Sequence, residues 1–129
     1  MTADLTALDN TQVTCDGHFH DVAADLRLPT RELRKAIPLT WAGFGEMHQS
    51  AVADGALPAR VKELMALVVA VTKHCEGCIA YHARAAARAG ASEDEVAEAL
   101  GVALLMEGGP ASVWAPRAFE AFREFQQAN

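Results

Sequence analysis

The stretch ELMALVVAVTKHCEGCIAYH, Glu63 to His82, decides how this chain is read. Its first half belongs to the most hydrophobic segment of the sequence. Pro58 stands where a first helical turn tolerates proline, and Val61, Leu64, Met65, Leu67, Val68 and Val71 follow. These apolar positions extend around most of a helix circumference and predict a largely buried helix. The second half holds a C-x-x-C pair, Cys75 and Cys78, followed after three residues by His82. On one helix these residues stand at i, i+3 and i+7, so local geometry gathers two thiols and an imidazole on one stripe. Glu63 can join them only through tertiary structure. On a single straight helix Glu63 and Cys75 would lie about 18 Å apart along the axis. A reversal near Thr72-Lys73-His74, midway between Glu63 and His82, instead sets those two residues against each other across an antiparallel helix pair.

Outside this run the periodicity is helical. Val22, Leu26 and Leu28 predict a short helix that stops at Pro29, and Thr30 can cap a second short segment with Leu33 and Ile37 that ends near Pro38. Trp41, Phe44, Met47, His48, Ala51 and Val52 recur at three- and four-residue steps, giving a helix that ends at Asp54-Gly55. Cys78 to Ala89 is alanine-rich, with Gly90 as a left-handed terminator. Ser92 and Glu95 form a capping box ahead of Val96, Ala99, Leu100, Ala103 and Leu104. Gly108-Gly109-Pro110 breaks that helix, and a last amphipathic one carries Trp114, Phe119, Phe122 and Phe125. No segment shows a strand period of two. The expected fold is all-α: one domain over 21–129 of about six helices, with the C-x-x-C at the start of a central helix, behind a mobile arm over 1–20.

Composition agrees with one compact domain: 129 residues, 51% apolar and 22% charged. Eleven basic side chains against seventeen acidic ones give a net charge of −6, and no run of Lys or Arg stands out, which argues against nucleic acid or a membrane surface as a partner. The longest nearly unbroken apolar stretch, Leu64 to Val71, is far short of the roughly 20 residues of a membrane span, and the amino terminus lacks a signal pattern. A soluble cytoplasmic protein is expected. The three cysteines, an odd number, argue against a secreted disulfide framework. The many alanines let helices approach closely but bury little area each, so neighbouring subunits are expected to complete the core as a homo-oligomer.

The chemistry follows from the spacing. The thiolate is the nucleophile, and an ordinary cysteine, with a pKa of about 8.5, is mostly protonated at neutral pH. His82 can take the proton, while Glu63 orients the imidazole and stabilises its charged form. A helix amino terminus at Cys75 adds partial positive charge, and Glu76 works in the opposite direction. Cys78, nearest to His82, is the candidate attacking cysteine. Cys75 is placed to convert its sulfenic acid into a disulfide.

The pattern Glu63-x11-Cys75-x2-Cys78-x3-His82, together with the Gly108-Gly109-Pro110-Ala111 turn and the helix after it, resembles the AhpD-like alkylhydroperoxidase group of the carboxymuconolactone decarboxylase family over roughly Ala36 to Phe125. That resemblance implies an all-helical subunit assembling into a homo-trimer or homo-hexamer. It implies reduction of organic hydroperoxides, with the disulfide re-reduced by a dihydrolipoyl or thioredoxin-type donor. The implied roles are Cys78 peroxidatic, Cys75 resolving, and Glu63 and His82 a proton relay. In one respect the sequence departs from the group: the founding peroxidase has a second histidine just before its second cysteine, where this chain has Gly77. The departure bears on rate and preferred reductant more than on dithiol chemistry.

Competing readings attach to the same residues. Cys75, Cys78 and His82 with His74 or Glu63 could ligate a metal, although no second C-x-x-C or H-x-x-H completes a closed site. A non-enzymatic redox switch or metal-binding module is therefore the alternative class, with a lactone decarboxylase ranked lower. Cys15, His18 and His20 form a C-x-x-H-x-H string one ligand short of a site and read as a surface arm. His48 reads as a hydrogen-bonded core histidine that could line a substrate pocket. Trp41, Trp114 and the phenylalanines read as packing, and no nucleotide motif or bound cofactor is expected.

Overall fold

The computed structural model describes residues 17–128, so Cys15 and residues 1–16 of the expected arm lie outside the described residues. Residues 18–20 form the first turn of a helix. Six helices follow in order: α1 His18–Ala36, α2 Pro38–Val52, α3 Ala59–Thr72, α4 Glu76–Arg88, α5 Glu93–Glu107 and α6 Gly109–Gln127, with no strand among the described residues. α4 is central and packs on α3, α6 and α1, while α5 closes the bundle against α3 and α6.

The core is built on small residues. Ala80, Ala83 and Ala86 of α4 and Ala111, Ala115, Ala118 and Ala121 of α6 are all buried, which lets these two backbones come close. Phe19, Leu67, Val71, Ile79, Val96 and Phe122 are the largest fully buried side chains. Full burial of each contributes about 1.5–3 kcal/mol, so these few carry much of the hydrophobic stabilisation. The expectation that α3 is buried around most of its circumference holds for one side. Glu63, Leu64, Leu67, Ala70 and Val71 are inside, but Met65 and Val69 face outward.

Helix boundaries mostly follow the local signals. Ser92 and Glu95 make both bonds of the capping box, with Glu95 N donating to Ser92 Oγ at 3.1 Å and Ser92 N donating to Glu95 Oε1 at 3.0 Å. α4 ends in a Schellman motif: Gly90 has φ +85°, Ala91 N donates to Ala86 O and Gly90 N to Ala87 O. α1 departs from expectation, running without a break through Pro29. The proline φ suits a helix, and because Pro29 is exposed the carbonyl it leaves unbonded is open to water. Gly17, the residue before α1, offers no capping side chain. Phe19 N and His20 N donate instead to Glu124 Oε2 of α6, at 3.2 and 3.4 Å.

α2 is the unusual element. It is apolar over Trp41, Phe44 and Met47, yet no residue of it is buried within the described chain.

A candidate dithiol site at the start of helix α4

The reversal expected near Thr72-Lys73-His74 is present and tightly built. α3 ends in a second Schellman motif, in which Cys75 N donates to Ala70 O and His74 N to Val71 O, both at 3.1 Å. The left-handed residue this motif requires is not glycine but His74, at φ 53°. A side chain there costs roughly 1–2 kcal/mol. Its ring is held on both sides, since it stacks on Trp114 with centroids 5.2 Å apart and its Nε2–H donates to Glu107 Oε1 at 2.9 Å. α5 and α6 thus grip the residue that delivers the chain into Cys75.

Cys75 is the N-cap of α4, and its Sγ accepts the Cys78 backbone N–H at 3.2 Å. The two cysteines form a disulfide with Cα atoms 5.2 Å apart. Cys75 is half-buried and Cys78 exposed, so Cys78 is the sulfur open to an incoming molecule. The open amides of the first helical turn, with the helix dipole, favour negative charge on Cys75.

One turn after Cys78, the half-buried His82 donates its Nδ1–H to Glu63 Oε2 at 2.8 Å. Glu63 is 5% exposed, a charged side chain within the apolar core. With the Nδ1 proton committed to Glu63, the lone pair of the neutral ring lies on Nε2, the nitrogen able to take a proton. The antiparallel pairing of Glu63 and His82 expected from the spacing is therefore present, and the four candidate residues share the α3–α4 reversal.

Three neighbours were not legible as such in the sequence. Glu76, expected to oppose a thiolate, has cations of its own: His18 Nε2–H donates to Glu76 Oε1 at 2.7 Å, and Arg117 Nη1 lies 3.9 Å from the same oxygen. This bond to Glu76 holds the His18 pKa above its ordinary 6.5. His48 approaches from α2, with its ring 5.4 Å from that of Tyr81 and 6.5 Å from that of His82. Its Nε2 is buried without a hydrogen-bond partner among the described residues, so it is not the satisfied core histidine expected. Gly77 meets α1, since a Cβ there would come within 2.9 Å of Leu26 Cδ1. A side chain at position 77 would therefore have to displace the end of Leu26 where α1 packs on α4.

No group of three or more His, Cys, Asp or Glu side chains among the described residues is arranged to hold a metal ion. His18 and His20 belong to α1, where His20 Nδ1–H donates to Glu124 Oε2 at 3.2 Å. No described helix is long and apolar enough to cross a membrane.

Comparison with known proteins places this arrangement. The chain is 38% identical over 90 residues to an uncharacterized protein of Cupriavidus necator, covering 70% of this chain and 80% of that one. It is 40% identical over 85 residues to an uncharacterized protein of the cox locus of Paracoccus denitrificans, covering 66% of this chain and 77% of that one. Among solved structures it is similar to the apo form of a carboxymuconolactone decarboxylase family protein from Legionella pneumophila. The two superpose with a TM-score of 0.81 at 39% identity, over 84% of this chain and 96% of that one. A Thermotoga maritima protein gives a TM-score of 0.65 at 31% identity, over 75% of this chain and 91% of that one. Residues 38–121, which contain Glu63, both paired cysteines and His82, match the model of the carboxymuconolactone decarboxylase family, and the chain belongs to that family.

Proposed function

We propose that this protein is a thiol-dependent alkylhydroperoxidase of the AhpD-like kind, cycling Cys75 and Cys78 between dithiol and disulfide. One observation carries the reading: the disulfide spans the first turn of α4, and one turn further along the half-buried His82 is bonded to the buried Glu63 of α3. In the reduced protein His82 Nε2 takes the Cys78 proton. The thiolate attacks the terminal oxygen of a hydroperoxide, so that an S–O bond forms, the O–O bond breaks and the alkoxide leaves as the alcohol with the proton from His82. Cys75 then attacks the sulfenic sulfur of Cys78; the S–S bond forms and hydroxide leaves as water with the Cys75 proton. One hydroperoxide and two thiols give one alcohol, one water and one disulfide. An external dithiol of the dihydrolipoyl or thioredoxin type restores the pair by attack on the exposed Cys78 sulfur, with Cys75, stabilised at the helix start, as the leaving thiolate.

A reducing cellular compartment, the cytoplasm, suits such a cycle. Several copies complete the fold in this reading. No residue of α2 is fully buried within one chain, and Leu39, Leu105 and Met106 are 87%, 81% and 75% exposed, which a trimer or hexamer would cover.

The test is a thiol titration of the fully reduced protein before and after one equivalent of cumene hydroperoxide, with intact mass recorded in parallel. Loss of two thiols and about two mass units, abolished by Cys78→Ser, is the expected result. Retention of both thiols alongside unreacted peroxide overturns the peroxidase reading. Light scattering of the same sample gives the number of subunits.

A further inference from the structure

The protein has eight arginines. Three of them, Arg60, Arg117 and Arg123, each stand against a carboxylate, namely Glu95, Glu76 and Glu93. The other five behave differently. Arg27, Arg31 and Arg34 rise along one stripe of α1, Arg84 and Arg88 along one stripe of α4, and all five line a single cavity of about 730 Å³. None of the five has a carboxylate within 4 Å among the described residues. Guanidinium groups gathered around one space repel each other, and in a chain of net charge −6 there are carboxylates enough to pair them. The acidic side chains sit elsewhere; Glu63 is the one carboxylate lining the cavity, and it is bonded to His82.

The arginine stripes span about 10 Å on α1 and 6 Å on α4, since each residue rises 1.5 Å. Between them the walls are apolar, formed by residues such as Leu26, Val52 and Ala80. The lining includes Gly77, the neighbour of Cys78 in the chain, and Glu63, which is bonded to His82. A space of this size, apolar in body with a few converging forked donors, is the form of a small-molecule site, and guanidinium pairs geometrically with carboxylate or phosphate.

We infer that this cavity binds a small anion with an apolar body, its carboxylate or phosphate held by the α1 and α4 arginines and its far end directed to the Cys78 end of α4. The anion site stands on the cavity alone. The assignment of its occupant as a reactant of the cysteine pair rests on the dithiol reading. Two reactants could carry that chemistry, a hydroperoxide of a carboxylic acid or an acidic dithiol reductant, and kinetics separates them.

Binding of decanoate, with decanol as its neutral counterpart, is measured calorimetrically on the full-length protein at low and high salt. Decanoate is expected to bind, to weaken with salt, and to lose on the order of tenfold to a hundredfold in affinity in the Arg31→Gln/Arg84→Gln double variant. In the kinetic arm, oxidation of the dithiol by a fatty-acid hydroperoxide is compared with its methyl ester, and reduction of the disulfide by dihydrolipoate with dihydrolipoamide. A preference for the acid in one half-reaction, shrinking toward unity in the double variant, identifies which reactant the arginines hold. No decanoate binding, equal rates for acid and neutral forms, or dissociation of the oligomer as the sole effect of the double variant overturns the inference. Peroxide consumption without anion binding defeats this inference and leaves the peroxidase reading standing. Anion binding without peroxide consumption does the reverse.

Discussion

The buried carboxylate of Glu63 and the ring of His82 meet at 2.8 Å although 19 residues separate them in the chain. The contact depends on the tight reversal between α3 and α4, and it fixes which nitrogen of His82 is free. Glu63→Gln preserves the shape but can offer the ring an amide N–H₂ in place of an acceptor. The rate at which cumene hydroperoxide oxidises the reduced protein is expected to fall about tenfold to a hundredfold in Glu63→Gln, and about a hundredfold or more in His82→Ala. Stopped-flow measurement of disulfide formation reads this directly, and unchanged rates in both variants would remove the pair from the mechanism.

His74 tests whether strain is held next to the cysteines. Its φ of 53° favours glycine, while its ring is engaged by Trp114 and Glu107. His74→Ala keeps the backbone cost and loses both contacts, so it is expected to destabilise by about 1 kcal/mol. His74→Gly loses the contacts but relieves the backbone, and is expected to be more stable than the alanine variant by about 1 kcal/mol. Urea midpoints give the order, and alanine equal to or above glycine would refute it.

Acidity enters through His18. Its pKa is raised above 6.5 chiefly by the bond to Glu76; desolvation and the charge of Arg117 oppose the rise, and Coulomb attraction from Glu76 and Glu124 adds to it. A raised folded pKa stabilises fully below pH 6.5 and the contribution fades as pH climbs through the folded value. The pair is exposed, so the effect is expected to stay below about 1 kcal/mol. The wild type should gain stability over His18→Gln at about pH 5 and lose that advantage by about pH 8. Parallel curves for the two proteins across this range would contradict the assignment.

Gly77 and Leu26 are expected to be coupled. Gly77→Ala gains helix propensity of up to about 1 kcal/mol but presses on Leu26 Cδ1, which lies 2.9 Å from the added Cβ. In a Leu26→Ala background the same substitution meets open space and should stabilise. A double-mutant cycle is expected to give a coupling above about 0.5 kcal/mol, and strict additivity would show that α1 does not rest on α4 at this point.

Local signals made most of the fold legible. The S-x-x-E box, Gly90 and the Gly108 break each act through two or three neighbouring residues, and each does in the structure what the local chemistry dictates. Glu63 and His82 could be paired because a reversal midway between them was the arrangement that brought them into reach. What escaped reading is mostly tertiary. Pro29 signals a stop, but α1 runs through it, since a proline φ fits a helix and the carbonyl left unbonded at this exposed position is open to water. Met65 reads as core because hydrophobicity does not say whether the covering surface belongs to the same chain. The five cavity arginines never form a run; spaced three and four apart on helices about fifty residues distant, they leave a bland charge pattern until the helices are laid side by side.

The amino end of α1 has a further consequence, for the order in which the molecule is made. With no capping side chain at Gly17, the first amides of α1 bond to Glu124, a residue of the last helix, 104 to 105 positions away. During synthesis, chain growth must proceed past Glu124 before this cap can close, and the His20 ring can settle against Phe125 only then. The first of the six described helices is thus capped by the last of them, so the start of α1 consolidates only after α6 has been made.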